Sequence, residues 1–367
     1  MRCDSRQIFR LKRQIFRLKA EATQTGGRTR SVASAFRRKV FLGATIVFAL
    51  SALEAASAPL SLAHRQRYAM GTMFDILVYH DNAGEAARAM EAALAEIVRL
   101  DRVMSHYRTD SDLSRLVKGA RGGYVPVDPS LYDVIGQSLA VSRRSRGMFD
   151  VTVAPLLGTW KRAQAEGRRP SESELAQSAR CVGYEKIEML APDRIRFTSD
   201  CVDLDLGGIG KGYAVDRALG ILTSFGIDRA LVNAGGSSIA AAGSPPGQRG
   251  WPVALGGSDD LRIVLANESV STSQQGGIDD GTGSPSGEIL DPVRRAPIRS
   301  LAIVHVVGRS ATTTDALSTA LLLLPVDEGK NLLREFPVSG AAWVSRSGEI
   351  DSTYGDLRFA RSPAGTR

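Results

Sequence analysis

Cysteine is scarce in this chain, with three residues in 367. Cys3 falls in an N-terminal leader. That leaves Cys181 and Cys201, and neither has a His or Cys neighbour in sequence to complete a metal site. No cysteine follows the one apolar run near the N-terminus, which excludes a lipid-attachment site there. That run is also broken by Glu54, so it is short of the about 20 residues of a permanent span. No Pro/Ser-rich linker divides the chain, so one structural unit is expected. An excess of positive charge is absent outside the leader. Residues 1–39 hold 12 of the 47 Lys and Arg and 2 of the 39 Asp and Glu, leaving 35 against 37. The net +8 therefore belongs to the leader, and no nucleic-acid surface is inferred from it.

The leader has two parts. Residues 6–19, "RQIFRLKRQIFRLK", are a perfect tandem heptad. They fit a basic amphipathic helix, or a reading frame opened too early through repetitive DNA, which is the reading preferred here. Then Arg37, Arg38 and Lys39 precede the apolar stretch, and Ala56, Ser57 and Ala58 follow it. This is the outline of a secretory signal, so an exported, periplasmic protein is expected. Pro59 is a poor residue just after a cleavage site, so a retained anchor in the membrane stays open beside a cleaved signal.

Hydrophobic periodicity supplies the elements. "YAMGTMFDILVYH" has strand composition. "EAARAMEAALAEIVRLDRVM" reads as a helix with Met90, Leu94, Ile97 and Met104 on one side. "VDPSLYDVIGQSLAVSRRS" reads as a helix capped by Asp128, with Pro129 in its first turn. "YAVDRALGILTSFG" reads as a helix closed by Gly226. "RALVNAGGSS", "LRIVLAN", "LAIVHVVG" and "AAWVSRSGEI" read as strands, and "STSQQGGIDDGTGSPSGEILDP" as a polar surface loop. "YEKIEML" and "RIRFTS" read as two strands about the turn "APD". Cys181 and Cys201 flank the open end of that hairpin, either bridged or as two buried thiols. Helices and strands mix without strict alternation. The expected class is α+β (mixed α/β), a leader over 1–63 followed by a single catalytic domain of two intimate lobes over 64–367.

Two stretches carry the chemistry. "DLDLGGIGKGYAVD" (203–216) ends a strand and opens a helix, where glycines and a helix N-terminus suit a phosphate. A P-loop needs a glycine five residues before Gly210 and a hydroxyl after Lys211; Asp205 and Gly212 stand there. The dinucleotide fingerprint fails as well. A tight strand-to-helix turn with a solvated Lys211 is the plain alternative. In "TTTDALSTALLLLP" (312–325), Asp315 and Thr319 are four apart, on one face of a helix. A carboxylate and a hydroxyl stacked there suit a hard cation, or a cap at the helix start.

"AMGTMF", "SHYRTDSDLSRL", "GMFDVTVAPLLGTW", "DLGGIGKGYAVDRALGIL", "ALVNAGG", "EILDP" and "SATTTDALSTALLLL" occur in that order. Seven such strings in order resemble the ApbE family of flavin transferases over about residues 67–345. The resemblance implies a phosphoryl transfer: FAD as substrate, a divalent cation, usually Mg²⁺, and passage of the FMN half to a Thr or Ser hydroxyl of a partner protein with release of AMP. The acceptor it implies is an exported flavoprotein with a motif near Asp-x-x-Ser/Thr-Gly/Ala-Ala-Thr. Asp315 and Thr319 match the family's metal-binding pair, with backbone carbonyls falling at Gly208 and Ser318. Tyr107, Met70, Met148, Phe149, Asp150 and Ile289 match flavin contacts, and Asp205 and Lys211 flank the glycine turn. Two positions depart from the family pattern. Glu288 stands where the family has a histidine, and either substitutes as a carboxylate base or marks a lost role. Ser237 stands where an Asp usually follows "NAGG". Hydrolysis of FAD to FMN and AMP, or flavin binding without turnover, are the competing functions.

Overall fold

In the computed structural model, residues 59–256, 261–275, 289–357 and 359–361 are described. The basic repeat, the apolar export segment and Glu288 lie outside these residues. Among them, no helix is long and apolar enough to cross a membrane.

The centre is an eight-stranded sheet, antiparallel at every pairing. Its order is β1 (Ser61–Ala69), β2 (Thr72–His80), β6 (Ala230–Ala234), β7 (Ser238–Ala242), β10 (Ser269–Gln274), β13 (Ile303–Gly308), β14 (Val338–Val344) and β15 (Ile350–Gly355). Alternation along each strand sends side chains to opposite faces. Phe74, Ile76 and Val78 of β2 enter one core, while Leu77 and Tyr79 enter the other. The first core is covered by α1 (Ala83–Met104), α3 (Pro129–Arg144), α6 (Gly210–Ser224) and α7 (Ala311–Leu323). The second is covered by the small sheet of β8 (Trp251–Ala254), β9 (Leu261–Leu265) and β16 (Ala360–Arg361). Helices on one face of an antiparallel sheet make this an α+β arrangement. The remaining elements are α2 (Asp112–Gly119), α4 (Ala154–Ala165), α5 (Glu172–Ala179), α8 (Val326–Leu333), the sheet of β3 (Val125–Pro126), β5 (Arg194–Phe197) and β4 (Ile187–Leu190), and the hairpin of β11 (Leu290–Asp291) with β12 (Ala296–Pro297).

The expected caps are present: Asp128 accepts from the Ser130 N–H at 2.8 Å, and Gly226 closes α6 with a φ of 79°. Four expectations need correction. The polar loop expected from Ser271 starts later, because Ser269–Gln274 is β10, whose alternate serines are buried inside the sheet. The strand expected over residues 341–350 ends at Val344, and Ile350 opens β15 after a turn in which the Ser345 N–H donates to the Glu349 carbonyl at 2.8 Å. The single strand expected over Tyr68–His80 is a hairpin, turned at Met70 and Gly71 with φ of 48° and 74°, the signature of a type I′ turn. Tyr184–Lys186 is a short 3₁₀ turn and not strand, because the buried Asp150 carboxylate takes the Tyr184 N–H at 2.8 Å.

Cys181 and Cys201 are bridged across the open end of the β4–β5 hairpin. The bond closes a separation of 20 residues. Such a loop contributes about 3 kcal/mol, chiefly by restricting the unfolded chain. Replacing both cysteines by serine is expected to lower unfolding free energy by about that amount, read by urea denaturation against the oxidised protein.

His305 is fully buried in β13, on the face turned toward the small sheet. Its Nδ1 lies 2.9 Å from Thr272 Oγ1, and its Nε2 has no partner. Burial pushes its pKa down from 6.5 to about 4. The unfolded chain therefore binds a proton that the fold refuses. Stability is full above pH 6.5 and falls as pH drops toward 4, by about 3 kcal/mol from this group. His305→Asn is expected to remove that part of the acid sensitivity in denaturation curves taken at pH 7.5 and 5.

Candidate active site

The site forms where the glycine bend meets α7. Asp205 Oδ1 accepts from the Gly207 N–H at 2.7 Å, the local turn expected of an aspartate before glycine. The Asp205 N–H donates to the Val151 carbonyl at 2.7 Å, which ties the bend to the segment carrying Met148, Phe149 and Asp150. The bend then opens α6 at Gly210, with Lys211 Nζ 3.4 Å from the Gly207 carbonyl.

Both key glycines are closely packed where a side chain would begin, Gly212 against backbone and Gly208 against side chains. A Cβ on Gly208 would lie 3.1 Å from Phe149 Cε2 and 3.3 Å from Thr319 Oγ1. A Cβ on Gly212 would lie 2.1 Å from the Ala311 carbonyl oxygen and 2.7 Å from Asp315 Cβ. The bend thus meets α7 along one side, at Gly208 beside Thr319 and at Gly212 beside Asp315.

Asp315 is not the helix cap. Ser310 is, accepting from the Thr313 N–H at 3.2 Å. Asp216 of α6 grips the same helix start. It accepts from Ser310 Oγ, the Ala311 N–H, the Thr312 N–H and Thr312 Oγ1 at 2.6–2.9 Å. Asp315 lies one turn further in, 4% exposed, and its Oδ2 accepts from the Gly212 N–H at 2.8 Å. Burial pushes its carboxyl above the usual range; the Lys211 charge and the Gly212 bond oppose that without cancelling it.

Hydroxyls line the floor beneath. Ser273 Oγ of β10 lies 2.7 Å from Ser318 Oγ and 3.2 Å from Thr319 Oγ1. Ser318 Oγ donates to the Asp315 carbonyl at 2.9 Å. Ser271 and Ser269 reach Thr314 Oγ1 at 2.9 and 3.3 Å. Sequence reasoning missed this row and Asp216. The alternating serines of "SVSTSQ" were the available signal, since a period of two puts them on one face of a strand.

Among the described residues there is no group of three or more His, Cys, Asp or Glu able to hold a metal. Mg²⁺ does not need one, because it is commonly held by one or two carboxylates together with substrate phosphates. A buried carboxylate with too little countercharge, beside hydroxyl oxygens, has the hard-oxygen chemistry such a cation takes.

The other expected residues divide. Phe149 is buried against Gly208, and Met148 is half-buried next to it. Asp150 is a brace: its carboxylate takes the Thr152 N–H, Thr152 Oγ1 and the Tyr184 N–H. Met70 and Ile289 are half-buried against the larger core, and the Ile289 N–H reaches Gln275 Oε1 at 3.3 Å. Tyr107 is 70% exposed between α1 and α2, with its ring 3.8 Å from that of His106 and 5.8 Å from Lys161 Nζ. Ser237 Oγ bonds the Ala234 carbonyl and so closes its own turn.

The pattern of the ApbE family matches residues 70–343. A Treponema pallidum protein named FAD:protein FMN transferase is 26% identical over 313 residues, covering 79% of this chain and 86% of its own. A Klebsiella pneumoniae protein of the same name is 26% identical, over 82% and 90%. Among solved structures, the apo form of the Pseudomonas stutzeri flavinyl transferase ApbE is 25% identical with a TM-score of 0.68, covering 83% of this chain and 94% of its own. An ApbE protein from Thermotoga maritima is 27% identical with a TM-score of 0.69, over 81% and 97%.

Proposed function

The chain belongs to the ApbE family, and from that premise we propose that it transfers the FMN half of FAD to a serine or threonine hydroxyl of a partner protein. The observation that carries this reading is the meeting of Gly208 and Gly212 with Thr319 and Asp315. The acceptor hydroxyl oxygen forms a bond to the phosphorus on the FMN side of the pyrophosphate. The bond from that phosphorus to the bridging oxygen breaks, and AMP leaves with the electron pair. The hydroxyl proton goes to a carboxylate base, a role we assign to Glu288 from its place in "EILDP".

Asp315 and Thr319, with the Gly208 and Ser318 carbonyls, are assigned to Mg²⁺, which when bound offsets charge gathering on the phosphate oxygens. Lys211 adds a positive charge at the mouth of the bend. Phe149 packs on Gly208 and keeps water from that side. The Asp150 brace and the Asp205 turn hold the two approaching loops in place, so the site is set before substrate arrives. We place the enzyme outside the cytoplasm. The basic-then-apolar leader supports export, by a cleaved signal or a retained anchor, and the Cys181–Cys201 bond belongs to an oxidising compartment.

The test is incubation of purified protein with FAD, Mg²⁺ and a threonine-bearing acceptor domain. Fluorescent flavin that stays on the acceptor through a denaturing gel is the expected result. Free FMN and AMP without labelled acceptor would replace this reading with hydrolysis, and unchanged FAD would leave binding alone.

A further inference from the structure

Four buried serines on β7 and β10 share the side of the sheet that α7 covers: Ser238, Ser269, Ser271 and Ser273. Three have partners on α7, at Thr314, Ser318 and Thr319. Ser238 has none, although it is fully buried and directly opposite Ser271 in the sheet register. A buried hydroxyl without a partner is costly, because it has given up its bonds to water and gained none in return. The next residues on the same face of β7 are Ala240 and Ala242, so an alanine at 238 would fit the pattern and avoid that cost. Its cross-strand neighbour Ser271 bonds Thr314 Oγ1 at 2.9 Å, and Thr314 precedes Asp315 on α7, so the sheet register sets the unpartnered hydroxyl beside the turn of α7 that carries that carboxylate.

We propose that Ser238 is a direct oxygen ligand of the divalent cation held by Asp315, a role that rests on the cation reading given above. The hydroxyl lacks a partner in the chain because its partner is the ion. The Gly235–Gly236 turn, with φ of 60° and 81°, brings β7 in at this height, and the Asn233 side chain fixes it by accepting the Gly236 N–H at 2.8 Å. The departure from the family pattern at Ser237 therefore sits one residue from an oxygen that does face the site.

The experiment is titration of the whole FAD-loaded protein with Mn²⁺ and Cd²⁺, followed by calorimetry, with thermal unfolding of each metal-free variant alongside. Wild type is expected to bind Mn²⁺, and Asp315→Asn to lose that binding. Ser238→Ala is expected to weaken Mn²⁺ at least about tenfold while leaving metal-free melting unchanged or higher. Ser238→Cys is expected to weaken Mn²⁺ but strengthen Cd²⁺, since a thiolate prefers the softer ion. Adding Asp315→Asn to Ser238→Cys should remove the Cd²⁺ gain. Mn²⁺ affinity unchanged in Ser238→Ala, or no shift toward Cd²⁺ in Ser238→Cys, overturns the assignment of Ser238 while leaving Asp315 in place. Mn²⁺ binding that survives Asp315→Asn overturns the cation reading and this inference together.

Discussion

Gly212→Ala is expected to destabilise the protein by about 3 kcal/mol or more, although alanine is the better helix former. Inside a helix, glycine to alanine gains about 1 kcal/mol in propensity. At Gly212 that gain is overwhelmed, because the new Cβ would lie 2.1 Å from the Ala311 carbonyl oxygen and 2.7 Å from both Ala311 C and Asp315 Cβ. These are backbone and near-backbone atoms, so α6 and α7 must separate. Separation would also strain the Asp216 grip on the start of α7 and the Gly212 N–H bond to Asp315. Gly220, in the same helix, is the control: a Cβ there meets nothing within 4 Å, and Gly220→Ala should stabilise by up to about 1 kcal/mol. Urea denaturation of the two variants beside wild type reads both signs. A Gly212→Ala protein as stable as Gly220→Ala would mean that the helices do not approach as described.

Asp315→Asn is expected to lower transfer by about a thousandfold, on the scale of several kcal/mol of electrostatic stabilisation, while the fold survives. The amide oxygen can still accept the Gly212 N–H, so that backbone donor keeps its partner. Burial already disfavours the charged form of this carboxyl. Removing the charge should leave metal-free stability within about 1 kcal/mol of wild type or raise it. Loss of activity with retained melting temperature separates a functional carboxylate from a structural one. Gly208→Ala is the intermediate case, since its Cβ meets Phe149 and Thr319 at 3.1 and 3.3 Å, distances that side chains can relieve.

The strongly periodic parts of the chain were legible in sequence: α1, α3 with its Asp128 cap, α6 closed by Gly226, and strands β6, β9, β13 and β14. The meeting of two distant segments was legible only through motif order, because Gly212 and Asp315 are 103 residues apart. What stayed hidden depends on tertiary partners. Met70 sits inside an apparent strand, and nothing local shows that it takes a left-handed φ beside Gly71. Tyr184–Lys186 has strand composition, but the Asp150 brace captures its first N–H. Asp315 looks like a cap because it is polar and early in the helix. The real caps are Ser310 and Asp216, the second supplied by another helix. Ser238 is one of two serines after a glycine turn, and only the sheet register shows which of them faces α7.

The most direct test is a crystal of the protein grown with FAD and Mn²⁺, examined at the manganese anomalous edge. The account predicts one strong peak beside Asp315 and Thr319, next to the Gly208 bend and touching the pyrophosphate of the flavin dinucleotide. A peak elsewhere, or FAD bound with its phosphates away from that bend, would contradict it.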